Sequence, residues 1–185
     1  MTQYKPSEEY ITTGEQKGLI LREGSKVEYQ TTGKSYNFSD PEEKVRASFY
    51  VELIQKYKYP EKRLDTEVVV PRRKPSDSAD IVVYEDDEQK KPYIVVECKK
   101  DDISQSEIKQ AVEQAFGNAN SLRAKYAIVV AGNVRIAFDV AGFNPQERDK
   151  NIISDIPVRY GKITKYKYKK GDETWDLQPA DLKAL

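Results

Sequence analysis

Two apolar runs separated by a polar stretch dominate the middle of the chain. The first is Ala79–Tyr84, and the second begins at Tyr93 and continues to the charged end at Lys100. Both runs are rich in β-branched and aromatic residues, which favour strands. The eight residues between them, 85–92, are a suitable length for a hairpin loop. The pattern therefore predicts two adjacent antiparallel strands.

The predicted hairpin brings three charged side chains together at one end. If Tyr84 pairs with Tyr93, counting back along both strands puts Asp80 opposite Glu97. Directly opposed residues of an antiparallel pair share a face and lie about 5 Å apart. Lys99 is two residues beyond Glu97 and points to the same face. Two carboxylates and one ammonium group are expected at one spot, which is typical of a magnesium site.

The residue types suit magnesium chemistry. Mg²⁺ prefers oxygen ligands and retains several waters, so Asp80, Glu97 and the backbone carbonyl of Cys98 would suffice as protein ligands. A metal-bound water loses its proton more easily, and Lys99 would orient that water and offset charge on the attacked phosphate. The predicted reaction is hydrolysis of a phosphodiester. The alternative is a surface ion cluster at a strand end, because Glu-x-Lys also occurs at four other places in the chain.

A helix is predicted on each side of this hairpin in the sequence. The first runs from Asp40 to about Lys58, with Asp40 as its N-cap and Glu43 completing a capping box. The second begins at Ser104 and continues to Leu122. Their apolar residues recur at helical spacing, namely Val45, Phe49, Leu53 and Tyr57 in the first, and Ile108, Ala111, Val112, Ala115, Ala119 and Leu122 in the second.

Further strands complete a predicted sheet. One covers 66–70, before the hairpin, and two more cover 126–131 and 134–140, after the second helix. The helix between the strand ending at Lys99 and the strand starting at Tyr126 implies a parallel crossover. The predicted fold class is α/β, with an αβββαβ core and a mixed central sheet flanked by helices.

This order of elements, with an Asp on the second strand and Glu-x-Lys on the third, resembles the PD-(D/E)XK nuclease fold, which is restriction-endonuclease-like. Within that fold, the chain resembles the N-terminal nuclease domain of the R (restriction and translocation) subunit of type I restriction enzymes over roughly 38–160. The motifs that carry the resemblance are Pro41–Arg46, Ala79–Tyr84, Val95–Lys100, Gln114–Ala119 and Ile156–Pro157.

The resemblance implies roles for individual residues. Asp80 and Glu97 would bind Mg²⁺, and Lys99 would be the catalytic lysine. Glu43 stands where the family often has an acidic residue directed at the metal or its water, which is an alternative to its place in the capping box. Gln114 matches the Gln of a Gln-x-x-x-Tyr motif, which lies near the active site and contacts DNA or catalytic residues.

Three other positions differ from the family's pattern or match it weakly. Asn118 stands where that motif has its tyrosine, and it keeps a donor and an acceptor for a DNA contact. Ala79 replaces the proline of the superfamily's name, which members of this branch tolerate. Glu67 matches a common acidic position on the first strand, but we interpret it as a solvated strand charge.

The charge balance limits how the chain binds nucleic acid by itself. Lys and Arg number 31, as do Asp and Glu, so the formal net charge is zero. Proteins that hold DNA alone are usually basic, so we expect weak binding or help from other domains and subunits. Arg72, Arg73 and Lys74 precede Asp80 and are the expected contacts to the DNA backbone. The alternating Lys/Tyr segment 165–169 is interpreted as a solvated edge strand.

The composition excludes several other chemistries. The chain has no histidine and a single cysteine, Cys98, which rules out His-based catalysis, internal disulfides and thiolate metal clusters. The N-terminal residues are polar, and no apolar run approaches membrane-spanning length. A soluble, cytoplasmic protein is expected.

Three segments are expected along the chain. Residues 1–38 would form a strand or hairpin extension, 39–140 the nuclease core, and 141–185 a loop, a strand and a linker towards a motor domain. Full R subunits use ATP in that motor and act with modification and specificity subunits. No Gly-x-x-x-x-Gly-Lys-[Ser/Thr] loop occurs here, so ATP is not expected to bind this chain by that route. We favour an excised domain over a natural short relative.

The sequence leaves three functions open. The preferred one is a Mg²⁺-dependent endonuclease domain of a type I restriction enzyme, which cuts double-stranded DNA without reading its sequence. The second is a stand-alone nuclease of the same fold in another defence or repair system. The third is a non-catalytic nucleic-acid-binding domain, which is disfavoured because Asp80, Glu97 and Lys99 are all present.

Overall fold

A computed structural model of the chain describes residues 8–71, 77–132, 134–140 and 148–161. The helices in this part are α1 (Glu8–Gln16), α2 (Pro41–Gln55) and α3 (Gln105–Leu122), with single-turn 3-10 helices at Glu61–Arg63, Arg148–Asn151 and Val158–Tyr160. The strands are β1 (Ile20–Glu23), β2 (Lys26–Tyr29), β3 (Lys34–Asn37), β4 (Leu64–Val70), β5 (Asp77–Tyr84), β6 (Pro92–Lys99), β7 (Tyr126–Ala131), β8 (Val134–Asp139) and β9 (Ile152–Ile153).

In the described part of the chain, the main sheet has six strands that lie in chain order from β4 to β9. Only β6 and β7 run parallel, and α3 connects them, while the other neighbours are antiparallel. A parallel pair needs such a crossover, because its strands start at the same edge of the sheet. The predicted mixed α/β architecture is therefore confirmed.

The register of the central hairpin also follows the prediction over most of its length. Ile81 pairs with Val96, and the next two pairs towards the loop keep the same offset. At the loop the pairing shifts by one residue, so that Tyr84 lies opposite Pro92 and not Tyr93. Proline has no backbone N–H for the ladder, which suits it to a strand end with a local irregularity.

Two hydrophobic cores lie on opposite faces of this sheet. α2 packs over one face together with the small sheet β1–β3, and α3 packs over the other. Residues Val45–Leu53 of α2 are all buried, because the small sheet and α1 cover the side of the helix that faces away from the main sheet. Two of these buried positions, Arg46 and Glu52, carry charges.

Helix α1 was not expected from the sequence, which predicted strands or a hairpin over residues 1–38. Its sequence is mostly polar and contains Gly14, a poor helix residue. The position requires glycine, since an added Cβ would lie 2.6 Å from Cγ2 of Val51 and 3.0 Å from Cγ1 of Ile20. Close packing against α2 thus stabilises a helix that local preference does not favour.

The starts of the two longer helices follow the sequence pattern. Asp40 caps α2 and accepts a hydrogen bond from the backbone N–H of Glu42. Ser104 and Glu107 form the predicted capping box of α3. α2 ends at Gln55, three residues before the predicted end, and Lys58 adopts a positive φ that is incompatible with a continuing helix.

The segment 148–161 packs against β8, Tyr57, Tyr59 and the end of β5 at Tyr84. β9 pairs with β8, and the Tyr57 hydroxyl donates to both oxygens of Asp155 at 2.7 and 2.9 Å. Tyr160 packs edge-on against Tyr59, with ring centroids 5.0 Å apart, and donates to the carbonyl of Tyr84. These contacts attach the segment to the hairpin end of the main sheet.

None of the helices in the described residues is both long and apolar enough to cross a membrane.

We expect Gly14→Ala to destabilise the fold by about 1–2 kcal/mol, although alanine is the better helix former, because the added methyl group overpacks the contact with Val51. Urea unfolding would measure the change. Thr12→Ala, on the exposed side of the same helix, is the control and should stay within about 0.5 kcal/mol of the parent. An unchanged stability in Gly14→Ala would show that α1 moves freely away from α2.

Candidate active site

The strands beside β5 both separate from it at Asp80. The β4–β5 ladder pairs Thr66 with Ile81 and Val68 with Ala79, but it is interrupted at the position between them. There Glu67 has a φ of 48°, a left-handed conformation that breaks regular strand pairing. On the other side, the β5–β6 ladder ends at Ile81. Asp80 is thus placed in an opening of the sheet.

Two contacts hold the Asp80 carboxylate in this opening. Oδ2 accepts a hydrogen bond of 2.6 Å from the backbone N–H of Cys98, which lies beyond the end of the β5–β6 ladder at Ile81 and Val96. Oδ1 lies 3.4 Å from Nη1 of Arg46, a longer and weaker contact. One oxygen is therefore firmly held and the other is loosely held.

Glu97 and Lys99 meet on β6, as the two-residue spacing predicts. Lys99 Nζ lies 2.8 Å from Glu97 Oε1. The Glu97 residue is only 1% exposed, and its second oxygen, Oε2, has no hydrogen-bond partner among the described residues. A buried carboxylate oxygen without a donor costs free energy, so it is suited to a ligand that brings positive charge.

The electrostatics of the site oppose the ionisation of both carboxyl groups. Burial raises the pKa of Asp80 to about 6 and that of Glu97 to about 8, and the negative charge of Asp80 adds to the shift at Glu97. Burial also opposes the charge on Lys99, but the nearby Glu97 keeps the pKa of this lysine above its usual value. A cation that binds to both carboxylates would therefore displace protons from them.

Glu43 takes no part in a capping box, contrary to one of the two interpretations of the sequence. Its side chain is buried, and Oε1 accepts a hydrogen bond of 2.7 Å from the hydroxyl of Tyr29 on β2. Oε2 accepts from Nε of Arg46 at 2.9 Å. Burial raises the pKa of Glu43, while the bonds from Arg46 and Tyr29 oppose that shift. Glu43 thus faces the interior behind Asp80.

Sequence reasoning missed Arg46 in this cluster and interpreted Glu67 as a solvated strand charge, whereas the structure pairs the two side chains. Arg46 forms ion pairs with Glu43, Glu67 and Asp80, which lie on α2, β4 and β5. Glu67 also accepts a hydrogen bond from Ser78, and although burial opposes ionisation, these contacts lower its pKa. Proximity to the apolar stripe gives no signal for Arg46, since Lys44, on the other side of Val45, is exposed.

The amide side chains of α3 contact the start of β5. Gln114 Nε2 donates to Oδ1 of Asp77 at 3.3 Å, and Asn118 Nδ2 donates to the carbonyl of Ser78 at 3.2 Å. Both contacts position the strand segment that leads into Asp80. Asn118 is fully buried, so its position does not fit the DNA contact expected from the sequence.

The remaining candidate residues differ in how the structure places them. The thiol of Cys98 is buried in the α2-side core, and burial raises its pKa, so only the backbone of this residue is available to a hard metal ion. The proposed DNA contacts Arg72, Arg73 and Lys74, and the Lys/Tyr segment 165–169, lie outside the described residues.

The site suits a cation that needs few protein ligands. Within the described residues, no three Asp, Glu, Cys or His side chains are grouped as a ready metal cage. Mg²⁺ does not need one, because it commonly takes one or two carboxylates and fills its other positions with water and phosphate oxygens. Oε2 of Glu97 and Oδ1 of Asp80 are the oxygens that fit such an ion.

The fold and the position of this cluster define a class of protein. A mixed sheet flanked by helices, with Asp80 on its second strand and Glu97 and Lys99 on its third, is a restriction-endonuclease-like fold. The chain belongs to the family described as type I restriction enzyme R protein N terminus (HSDR_N), which matches residues 41–157, more than half of its length. No curated protein and no solved structure matches the chain.

The buried charges predict how stability depends on pH. A carboxyl whose folded-state pKa is raised stabilises the fold below its unfolded-state pKa, and this contribution is lost as the pH rises through the folded-state value. The side chain of Glu97→Gln cannot ionise. In EDTA, its free energy of unfolding relative to that of the parent should therefore be higher at pH 8.5 than at pH 5. We expect a gain on the order of 1–3 kcal/mol, since one pKa unit is about 1.4 kcal/mol.

Urea unfolding at the two pH values would measure this gain. Glu88→Gln, in the exposed hairpin loop, is the control and should follow the parent at both pH values. Parallel pH profiles for Glu97→Gln and the parent would mean that Glu97 ionises without penalty in the folded protein.

Proposed function

We propose that this chain is a Mg²⁺-dependent DNA endonuclease domain of a type I restriction enzyme R subunit. In this role it hydrolyses phosphodiester bonds of double-stranded DNA without reading their sequence. The observation that carries the proposal is the unpartnered, buried Oε2 of Glu97, together with the loosely held Oδ1 of Asp80 and the contact of Lys99 with Glu97.

The charge balance of the connected cluster supports a divalent ion. Four carboxylates contribute, from Glu43, Glu67, Asp80 and Glu97, whereas the cationic side chains bonded to them are Arg46 and Lys99. When all are ionised, two negative charges remain, which equals the charge that one Mg²⁺ ion neutralises. The cation would thus offset the burial and, secondarily, the repulsion between carboxylates that raise the pKa of Asp80 and Glu97.

The residues of the chain divide the work as follows. Asp80 and Glu97 would hold the cation, which when bound polarises a phosphate oxygen and makes a coordinated water a better nucleophile. Cys98 orients Asp80 through its backbone N–H, and its carbonyl is a further candidate ligand. Lys99 carries its charge within reach of a phosphate at this position and would stabilise the negative charge that develops on it. Gln114 holds β5 through Asp77 and would assist the reaction through that strand.

DNA affinity is expected to come largely from elsewhere in the enzyme. The chain has no net charge, whereas proteins that bind DNA alone usually gain affinity from an excess of Lys and Arg. Modification and specificity subunits would bring the DNA, and an ATP-driven motor domain of the same subunit would move it. Within this chain, Arg72, Arg73 and Lys74 remain the proposed contacts to the DNA backbone.

Cleavage of supercoiled plasmid DNA tests the proposal directly. We expect Asp80→Asn, Glu97→Gln and Lys99→Met each to reduce cleavage by a complex containing the subunit by about 100-fold or more, because each removes a charge from the reacting centre. Gln114→Ala should have a smaller effect, since it acts through Asp77. Circular dichroism would verify that each variant remains folded.

The chain offers a matched control in Glu88 and Lys90, which form an exposed copy of Glu-x-Lys in the hairpin loop. Glu88→Gln and Lys90→Met should leave cleavage unchanged. Full cleavage by Lys99→Met would remove this lysine from the chemistry, and cleavage that persists in EDTA would contradict a metal-dependent mechanism. Strong cutting by the 185-residue chain alone would favour a stand-alone nuclease over a domain that depends on a complex.

Metal binding separates the roles of the three residues. Calorimetric titration with Mn²⁺ should show weaker binding in Asp80→Ala, because a ligand is lost, whereas Lys99→Ala should bind at least as well as the parent. Equal binding by the parent and by Asp80→Ala would place the cation elsewhere.

A further inference from the structure

Arg46 is the charged centre of the acidic cluster. The residue is only 7% exposed, yet its guanidinium contacts carboxylates from three different elements. A buried guanidinium requires such compensation, and the three carboxylates in turn require a cation, so removal of either side leaves uncompensated charge in the interior.

The small N-terminal sheet holds this guanidinium in place. The ring of Tyr36, on β3, lies under it with 4.4 Å from Cζ to the ring centroid, which is a favourable cation–π distance. Tyr29, on β2, donates its hydroxyl to the same Glu43 carboxylate that Arg46 contacts. The small sheet therefore contributes to the site by fixing the orientation of Arg46 and Glu43.

The three contacts of Arg46 are not equal. Glu43 accepts from two nitrogens of the guanidinium, Nε and Nη2, and Glu67 accepts a hydrogen bond from Nη1. The contact to Oδ1 of Asp80 is long, at 3.4 Å. Asp80 also keeps its other oxygen on the N–H of Cys98. Asp80 Oδ1 is thus the oxygen that can leave Arg46 most easily, while Arg46 stays bound to Glu43 and Glu67.

We propose that Arg46 is a positioning residue that acts as the resident counter-cation of the cluster. It holds Glu43, Glu67 and Asp80 together when no metal is bound, and its positive charge weakens the binding of a divalent cation at Asp80 and Glu97. The second part rests on the proposed function, whereas the first part holds whether or not the site binds a metal.

The test compares Arg46→Met with Arg135→Met in the 185-residue chain. Arg135 is a matched control, because it pairs with Glu52 at 2.8 Å and with Asp155 at 3.6 Å in a different cluster of α2 and β8. Both variants should lower the melting temperature in EDTA, by roughly 5–10 °C for a chain of this size. Only in Arg46→Met should Mn²⁺ or Mg²⁺ restore at least half of the loss.

Calorimetry measures the affinity for Mn²⁺, which would not increase in Arg46→Met if Arg46 had only a structural role. We expect Arg46→Met to bind Mn²⁺ at least about three- to tenfold more tightly than the parent, because the removal of one positive charge near a divalent ion favours binding even where water screens the pair. Arg46→Lys, which keeps the charge, should bind like the parent. A destabilised Arg46→Met whose Mn²⁺ affinity is unchanged or weaker would overturn the metal-tuning role.

If Arg46→Met does not fold either in EDTA or in Mn²⁺, a second variant tests the counter-cation role. Glu43→Gln, Glu67→Gln and Asp80→Asn are added to Arg46→Met, which removes all three carboxylates that the arginine compensates. Recovery of a cooperative melting transition would support the counter-cation role, and failure to recover would refute it. If the parent itself binds no divalent cation, the proposed function fails, and recovery of stability in EDTA still decides whether Arg46 is the counter-cation.

Discussion

The structure around the candidate site depends on the separation of β4 and β6 from β5 at Asp80. β5 loses its partner on both sides at Asp80, through the left-handed Glu67 on β4 and the end of the ladder with β6. A gap of this kind leaves backbone groups without partners, and the Asp80 carboxylate satisfies one of them at Cys98. The opening in the sheet and the charge inside it are therefore a single feature.

Helix α2 supplies the charges that this arrangement requires. It is buried almost all round, but it carries Glu43 and Arg46 near its start and Glu52 near its end. Glu52 binds Arg135 of β8, which also approaches Asp155, so the second cluster links α2 to the segment 148–161. A rotation of α2 about its axis would leave both clusters uncompensated in apolar surroundings, at a cost of several kcal/mol. The paired charges thus fix the rotation of α2 about its axis, which apolar packing alone would define less well.

The sequence predicted those features that depend on local pattern. Strand alternation and the two apolar runs gave the register of β5 and β6, and the contact of Glu97 with Lys99 follows from their spacing of two. The shift at Tyr84 was missed, because it depends on how Pro92 ends its strand. The start of α3 was predicted from Ser104 and Glu107, since a capping box is satisfied within one turn of helix.

Features that depend on distant partners were missed. The pattern from Asp40 to Glu43 suits a capping box, but hydrogen bonds from Tyr29 and Arg46 hold Glu43 in the interior. Asp40 caps the helix alone, through the backbone N–H of Glu42. The pairing of Arg46 with Glu67 spans 21 residues and leaves no local signal. Helix α1 depends on a close approach to Val51 that only the folded protein reveals. Tertiary contacts overrule local preference at each of these positions.

The left-handed backbone of Glu67 has an implication for sequence variation at this position. A side chain with a Cβ pays roughly 1 kcal/mol or more for a positive φ, and glycine would avoid that penalty. Glycine, however, would leave Arg46 with one acidic neighbour fewer and Ser78 without its acceptor. Selection for an unstrained backbone and selection for negative charge act in opposite directions at this position, so Asp, which tolerates the left-handed region and keeps a carboxylate, satisfies both most nearly.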